Sequence, residues 1–316
     1  MARTIRRVNS EGSSPARRVA FRCDGGERVG AGHVARCLPL AAALAAGGHR
    51  PAFCGEYDGL AAWLLERSGL PVAPGAALDD GPWAAAVIDS YTMSEPEICA
   101  VAQRLPVATI GEANRCERRG VLVDPHLDRR GEAPTDRLLP GPDFALVDPA
   151  FATARRDRTG PVRTVLVTVG GGSAGRPLAA AAVAAVRATF PEARVLTAGG
   201  VACDGTEPLP FPGTLLDAIG AVDVAVSAAG TTAYELAAAG VPAVVVAVAE
   251  NQRRVVDGAR RSGFALAGDD LAAAVGHLAD PAVRARLQDA GPATVDGRGA
   301  ERTAAALARR WWAQGG

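Results

Sequence analysis

The chain has 316 residues, 48% hydrophobic and 22% charged, which is long enough for two cores because single cores stop growing at about 250–300 residues. Its 34 basic and 34 acidic residues cancel, so no whole-molecule field draws in nucleic acid or an acidic membrane, and any anion binding is local. Every basic residue is arginine, which excludes lysine Schiff bases and the P-loop ammonium. The low aromatic content argues against a stacking platform for nucleic acid. Six cysteines form no CxxC pair and no zinc spacing; reduced, unreactive thiols in a cytoplasmic protein are expected, with no metal and no resident cofactor. Residues 1–17 are polar and arginine-bearing and are taken as a leader. No run reaches the roughly 18 apolar residues of a membrane span, so no stable membrane association is expected.

In chain order, apolar strands are expected at 19–23, 51–54, 84–89, 107–110 and 120–124, with helices at 38–46, 60–68 and 95–105 between them. This alternation implies an α/β fold with a parallel sheet covered on both faces. Pro39 either begins the regular part of the first helix or bends it. Segments 128–142 and 148–161 are rich in Arg, Pro and Gly and read as connections, placing a boundary between a unit 18–160 and a unit 161–316. The second unit repeats the plan. A strand at 162–169 runs into Gly170-Gly171-Gly172-Ser173, a helix continues to 189, and a strand follows at 193–198. Next come a strand at 223–227, the segment Ala228-Ala229-Gly230-Thr231-Thr232, a helix through 239, and a strand at 243–248 that ends in Ala249-Glu250-Asn251-Gln252. The closing helix, 300–312, carries Trp311 and Trp312 as its anchor. Ligands of open parallel sheets collect at the carboxyl ends of strands, where all these loops lie.

The first such loop is the most informative. After the strand, Asp24-Gly25-Gly26 leads to Gly30-Ala31-Gly32-His33. Gly30 and Gly32 let the backbone come close to a ligand, and His33 stands where the turn becomes helix. Asp24 is expected to hold one ring nitrogen of His33, fixing the tautomer so that the other takes a proton. Asp89, Ser90 and Tyr91 end another strand and are expected to face the same cleft. In the second half, the Gly171, Gly172 and Ser173 loop is a candidate phosphate cradle through backbone N–H groups. Ser227, Gly230, Thr231 and Thr232 are placed to hold diphosphate oxygens and Glu235 to accept from ribose hydroxyls; the alternative makes a threonine the helix cap and Glu235 a dipole partner. Two glycine patterns formally fit dinucleotide binding, at 30–35 and 170–175. The first lies too far from its strand, and the second has Gly199-Gly200 where a ribose carboxylate belongs.

The segment from Phe21 to Asp24 followed by Gly30 to Cys37 resembles the N-terminal signature of the nucleotide-sugar hydrolases of pseudaminic acid biosynthesis and the related spore-coat polysaccharide proteins. Ile88-Asp89-Ser90-Tyr91, the Gly170 to Ser173 loop, Ser227-Ala228 with Glu235, and Glu250-Asn251-Gln252 extend the resemblance in order over residues 18–266. That family is similar in its second half to the N-acetylglucosaminyl transferase that makes the peptidoglycan lipid precursor. The resemblance implies a GT-B fold, two Rossmann-like domains facing a cleft. It implies a UDP-linked amino or acetamido sugar whose nucleotide is held by the second domain, by the loops above and by Asn251 and Gln252. It further implies that His33 is the base for a water attacking the anomeric carbon with inversion, without a metal, and that Asp24, Asp89 and Tyr91 stand nearby. Gly25-Gly26 and Asp148 depart from the family pattern at positions nearer the sugar or the hinge than the nucleotide. The alternatives are a glycosyltransferase using the same donor site with a soluble acceptor, a nucleotide-sugar-binding protein without catalysis, and an NAD-dependent oxidoreductase.

Overall fold

The computed structural model describes residues 16–26, 29–73, 78, 81–111, 120–170, 176–199 and 203–312. The first half runs β1 (Arg18–Cys23), α1 (Gly32–Ala46), β2 (Arg50–Cys54), α2 (Gly59–Ser68), β3 (Val72–Ala73), β4 (Ala85–Asp89), α3 (Glu95–Arg104), β5 (Val107–Ile110), β6 (Gly120–Asp124), β7 (Leu138–Pro140) and α4 (Pro149–Thr153). The second half runs β8 (Thr164–Thr168), α5 (Arg176–Thr189), β9 (Arg194–Ala198), β10 (Glu207–Pro208), α6 (Leu216–Ile219), β11 (Val224–Ala228), α7 (Thr231–Ala238), β12 (Ala243–Val246), α8 (Arg253–Ser262) and β13 (Leu266–Ala267). Three helices close the chain: α9 (Leu271–His277), α10 (Pro281–Thr294) and α11 (Gly299–Trp312).

Among the described residues the first sheet has the order β3-β2-β1-β4-β5-β6-β7 and the second β10-β9-β8-β11-β12-β13. All the pairings are parallel, as in β1 to β4, where Cys23 faces Asp89, and β11 to β8, where Ser227 faces Thr168. The central strands β4, β8 and β11 are buried along their whole length, because helices cover both faces. In each sheet the winding direction reverses once, between β1 and β4 and between β8 and β11. Crevices open at such reversals, outside the carboxyl ends of the strands. The fold is GT-B, with two parallel α/β sheets. No described helix is long and apolar enough to cross a membrane.

Four features differ from expectation. First, α1 begins at Gly32, not at residue 38, and runs through Pro39. His33 is therefore inside the first turn, and Val34, Cys37, Leu40, Ala41 and Leu44 form the helix's buried stripe. Second, the short strands β3, β7, β10 and β13 exist only by pairing with a neighbour and have too few residues to show a period. Third, α11 packs on the first sheet: Ala300, Ala304 and Leu307 join the core of Phe21, Leu40 and Leu44, and the Trp312 ring lies tilted against His49 with ring centroids 4.2 Å apart. The start of α11 passes so close to the backbone of Ala145 that a Cβ at Gly299 would overlap it. Fourth, Cys99 is disulfide-bonded, whereas Cys23, Cys37, Cys54 and Cys203 are free thiols. Most of the expected leader, residues 1–15, lies outside the described residues, as do Gly171, Gly172 and Ser173.

Two sets of arginine contacts hold the halves and their connection. The Arg158 guanidinium is fully buried and donates to five backbone carbonyls, those of Val222, Arg156, Ala239, Ala154 and Ile219. Burial pushes it down to about 10, so it still carries its charge at neutral pH. Arg284 likewise donates to the carbonyls of Arg158, Thr159 and Gly160. The connection expected at 148–161 is thus pinned to the second half. At the seam between the halves, Leu127 enters the second half's core, and Arg254 on α8 donates to both oxygens of Asp128 at 2.9 Å.

Candidate functional site

The reversal between β1 and β4 brings His33 and Asp89 together. β4 ends at Asp89, α1 rises from the turn after β1, and His33 Nδ1 lies 2.7 Å from Asp89 Oδ1. The turn itself closes through Gly26 and Gly30, which exchange backbone hydrogen bonds; Gly30 takes φ +77°, a left-handed conformation that a side chain would strain. One helical turn after His33, Arg36 clamps Asp89 with Nε on Oδ2 and Nη2 on Oδ1, each at 2.5 Å. The Cys37 thiol points to Oδ2 from the same helix face, at 3.7 Å. Burial by itself raises a carboxyl; the Arg36 charge and hydrogen bonds, with that of His33, reverse this and hold Asp89 at about 2. An ionised Asp89 accepts from His33, so the proton sits on Nδ1. Arg36 Nη2 also lies 3.1 Å from Nδ1, but both are donors toward Asp89 and the contact is adjacency. Nε2 makes no hydrogen bond to the described residues. The arrangement can accept a proton on Nε2 and stabilise the resulting cation through Asp89.

Asp24 does something other than expected. Its carboxylate accepts from Ser90 Oγ and Thr92 Oγ1 at 2.8 Å, from Tyr91 N at 2.6 Å and from Thr92 N at 3.1 Å. Burial raises its pKa, and these donors outweigh burial and lower it. Asp24 therefore builds the turn after β4, and Asp89 takes the place beside His33 that the sequence assigns to Asp24. Position in the chain favoured Asp24; strand pairing favours Asp89, because Cys23 and Asp89 are register partners at the sheet's centre. The turn carries Tyr91 over the imidazole, edge to face at 4.7 Å. Arg36 is the residue that sequence reasoning missed. Its spacing of three from His33 puts both on one helix face, a signal available in the sequence.

The reversal between β8 and β11 gathers the second set. Gly230 caps α7 and Thr231 and Thr232 are its first residues, so neither threonine is the cap, and the helix start has no side-chain cap hydrogen bond among the described residues. Ser227 stands at the strand end, but its hydroxyl is buried and donates to the Ala228 carbonyl at 2.8 Å, so it is not offered to a ligand. Glu235 is half-buried. Desolvation pushes it up to about 7 against a hydrogen bond from Thr232, and the charge of Asp148 adds to the rise. Asp148 caps α4, accepting from Ala150 N at 2.8 Å. The Gln252 side chain braces the loop after β12, accepting from Val248 N at 2.9 Å, and its amide nitrogen reaches toward Gly230.

The two sets meet. Asn251 Nδ2 donates to the Tyr91 hydroxyl at 3.0 Å, joining the loop after β12 to the loop after β4. Carboxyl ends of both sheets thus face one cleft, with His33 on one wall and α7 on the other. A separate cavity of about 470 Å³ lies along α8, lined by Ala247, Glu250, Arg253, Arg260 and Asp269, and includes neither His33 nor Glu235. Among the described residues no group of three or more His, Cys, Asp or Glu is arranged to hold a metal ion.

Fold and cleft together define a GT-B architecture with a histidine–aspartate pair in the first half and, in the second, a carboxylate-bearing helix whose glycine cap offers no side-chain hydrogen bond. No protein-family model and no curated protein sequence matches the chain. Solved structures do. It is similar to the glycotransferase of kitacinnamycin, at 18% identity and TM-score 0.65 over 94% of this chain and 100% of that one. It is similar to MurG of Acinetobacter baumannii, at 16% and 0.61 over 93% and 99%. A third is a UDP-N-acetylglucosamine 2-epimerase, at 12% and 0.61 over 95% and 97%. These likenesses span both halves and establish the shared fold.

Proposed function

We propose that this protein is an enzyme that cleaves the anomeric bond of a UDP-activated sugar and transfers the glycosyl group to an acceptor hydroxyl. The observation that carries this reading is the His33–Asp89–Arg36 arrangement at the first reversal, opposite a glycine-capped helix N-terminus at the second. UDP is a good leaving group, so the site has to orient a nucleophile and stabilise departing negative charge. Helix α7, through Gly230, Thr231 and Thr232, suits the charge; Glu235 suits the ribose; His33 Nε2 suits the nucleophile's proton. The names of the similar structures, among them a glycotransferase and an epimerase of a UDP-sugar, support a nucleotide sugar as the substrate class. They favour transfer over the hydrolysis that the motif resemblance implied.

Hydrolysis stays as a second reading because of one observation. His33 is buried and roofed by Tyr91, which Asn251 ties to the opposite wall, a geometry that admits water more readily than a bulky acceptor. The Gly171 to Ser173 loop belongs to the proposed donor site on sequence grounds. The test is product analysis with purified protein and UDP-sugars. UDP release that requires an acceptor supports transfer; free sugar equal to UDP without acceptor supports hydrolysis. No UDP release from any UDP-sugar, with or without acceptor, overturns the enzymatic reading.

A further inference from the structure

Asp89 is buried, and among the described residues its carboxylate accepts from four donor atoms. Arg36 Nε at 2.5 Å and the Cys37 thiol at 3.7 Å lie on Oδ2, and Arg36 Nη2 at 2.5 Å and His33 Nδ1 at 2.7 Å on Oδ1. The guanidinium thus grips the same oxygen as the imidazole, and its Nη2 comes within 3.1 Å of Nδ1. A lone carboxylate beside a histidine draws a proton onto the ring. Here carboxylate and guanidinium cancel, and the ring meets a neutral ion pair.

The first sheet holds a second histidine–aspartate pair for comparison. Asp124 ends β6, and its Oδ1 lies 2.5 Å from His126 Nδ1. Burial raises the Asp124 carboxyl, but His126 and Arg254 hold it at about 2. Two arginines serve it, Arg129 at 2.6 Å and Arg254 of the second half at 3.4 Å, and both sit on Oδ2, leaving Oδ1 to the ring and backbone N–H of His126. Both pairs bury an ionised aspartate. In the pair at the β1–β4 reversal, however, the guanidinium shares the histidine's own oxygen, whereas in the other the arginines approach from the far one.

We propose that Arg36 is a positioning residue that holds the His33–Asp89 pair in its proton-accepting form, so that Nε2 takes the proton of the nucleophile's hydroxyl. The inference deepens the reading above and rests on it for the identity of the nucleophile. As the new bond to the anomeric carbon forms, that proton moves to Nε2, and the electron pair of the breaking C–O bond leaves with UDP. Protonation then sets an imidazolium against a guanidinium, which favours release of the proton and return to the starting form. The pair titrates as a unit. Whether a proton enters on Nε2 or on the carboxylate, the Arg36 cation beside both sites opposes it. The other groups around the pair leave this balance to Arg36: Tyr91 lies edge to face on the ring, Cys23 is the register partner of Asp89, Asp24 is engaged by its own turn, and Asn251 of the second half reaches Tyr91.

The experiment is nitrogen-15 NMR of histidine-labelled wild type, Arg36→Gln and Arg36→Lys across pH, with the acidic limb of kcat/KM for UDP release measured alongside. The chain has four histidines, His33→Asn assigns the His33 signal, and the His126 signal serves as the reference. Glutamine keeps a donor for Asp89 without the charge; lysine keeps the charge without the two-pronged grip. The neutral ring of wild type carries its proton on Nδ1. In Arg36→Gln the His33 midpoint rises by about one pH unit or more and the acidic limb rises with it, while in Arg36→Lys both stay within about half a unit. A folded Arg36→Gln whose midpoint matches wild type overturns the proposal and leaves Arg36 a packing residue. So does a full-unit rise in Arg36→Lys, which decides alone if Arg36→Gln does not fold. If the NMR shifts appear but no UDP-sugar is turned over, the nucleotide-sugar reading fails while the charge balance at the pair stands.

Discussion

At the reversal of the first sheet, Asp24, His33, Arg36 and Asp89 are locked into place by side-chain hydrogen bonds, His33, Arg36 and Asp89 to one another and Asp24 to its turn. The corresponding point of the second sheet presents Gly230, Thr231 and Thr232 with no side-chain cap and a single half-buried carboxylate, Glu235. One topology thus yields a crevice made of side-chain chemistry and a crevice made of backbone N–H groups. A proton acceptor needs a fixed tautomer and orientation, which only buried, paired side chains give. A diphosphate needs many weak donors at close range, which small residues at a helix start give. Substitutions should therefore lower turnover in the first half and affinity in the second.

The largest expected effect is that of His33→Ala, which lowers kcat by about 10²–10⁴-fold while UDP affinity is kept. A folded variant with near wild-type turnover would break the comparison at its centre. Next is Asp89→Asn, expected to cost about 10²-fold or more in kcat by releasing the tautomer. It also changes acid stability. A carboxyl lowered from 3.8 to about 2 stabilises the fold above the unfolded value, and this contribution disappears as pH falls from about 4 toward 2. Asp89→Asn should therefore flatten unfolding measured across that window, as should Asp124→Asn, whose carboxyl is lowered to the same value.

A smaller effect is expected from the second wall. Glu235→Ala should raise KM about tenfold and change kcat little, because ribose contacts are alike in ground and transition states; an equal fall in kcat and kcat/KM contradicts that role. With Glu235 raised to about 7, its ionised form, and with it ribose binding, is gained as pH rises through 7. The wild-type affinity for UDP should accordingly gain a pH dependence there that Glu235→Gln lacks. The same raised value means that this group costs folding stability as pH climbs from the unfolded 4.5 to 7. The smallest effect is that of Asn251→Ala, which removes one exposed neutral hydrogen bond to Tyr91, worth about 0.5 kcal/mol, and should change kcat/KM by about threefold at most.

Periodicity in the sequence determined the alternating strands and helices, and hence two parallel sheets, because buried parallel strands are continuous apolar runs bounded by turn residues. It also located the strand ends at or after which His33, Asp89 and Glu235 stand, since a strand's end is a local property. Tertiary structure alone decided which of these meet. Asp24 and Asp89 look equivalent as strand-end acids, and only the β1–β4 register hands His33 to Asp89. Ser227 looks like a strand-end hydroxyl open to a ligand, and only the geometry at the end of β11 turns it to the Ala228 carbonyl. Arg158 looks like one more surface arginine of a linker, yet three carbonyls from distant elements, with two from its own segment, enclose it. The return of α11 to the first sheet follows from the free apolar face there and the room that Gly299 leaves beside Ala145, neither of which a local window contains. Hydrophobic period is written within a dozen residues, whereas charge pairing is settled between residues as far apart in the chain as 33 and 89.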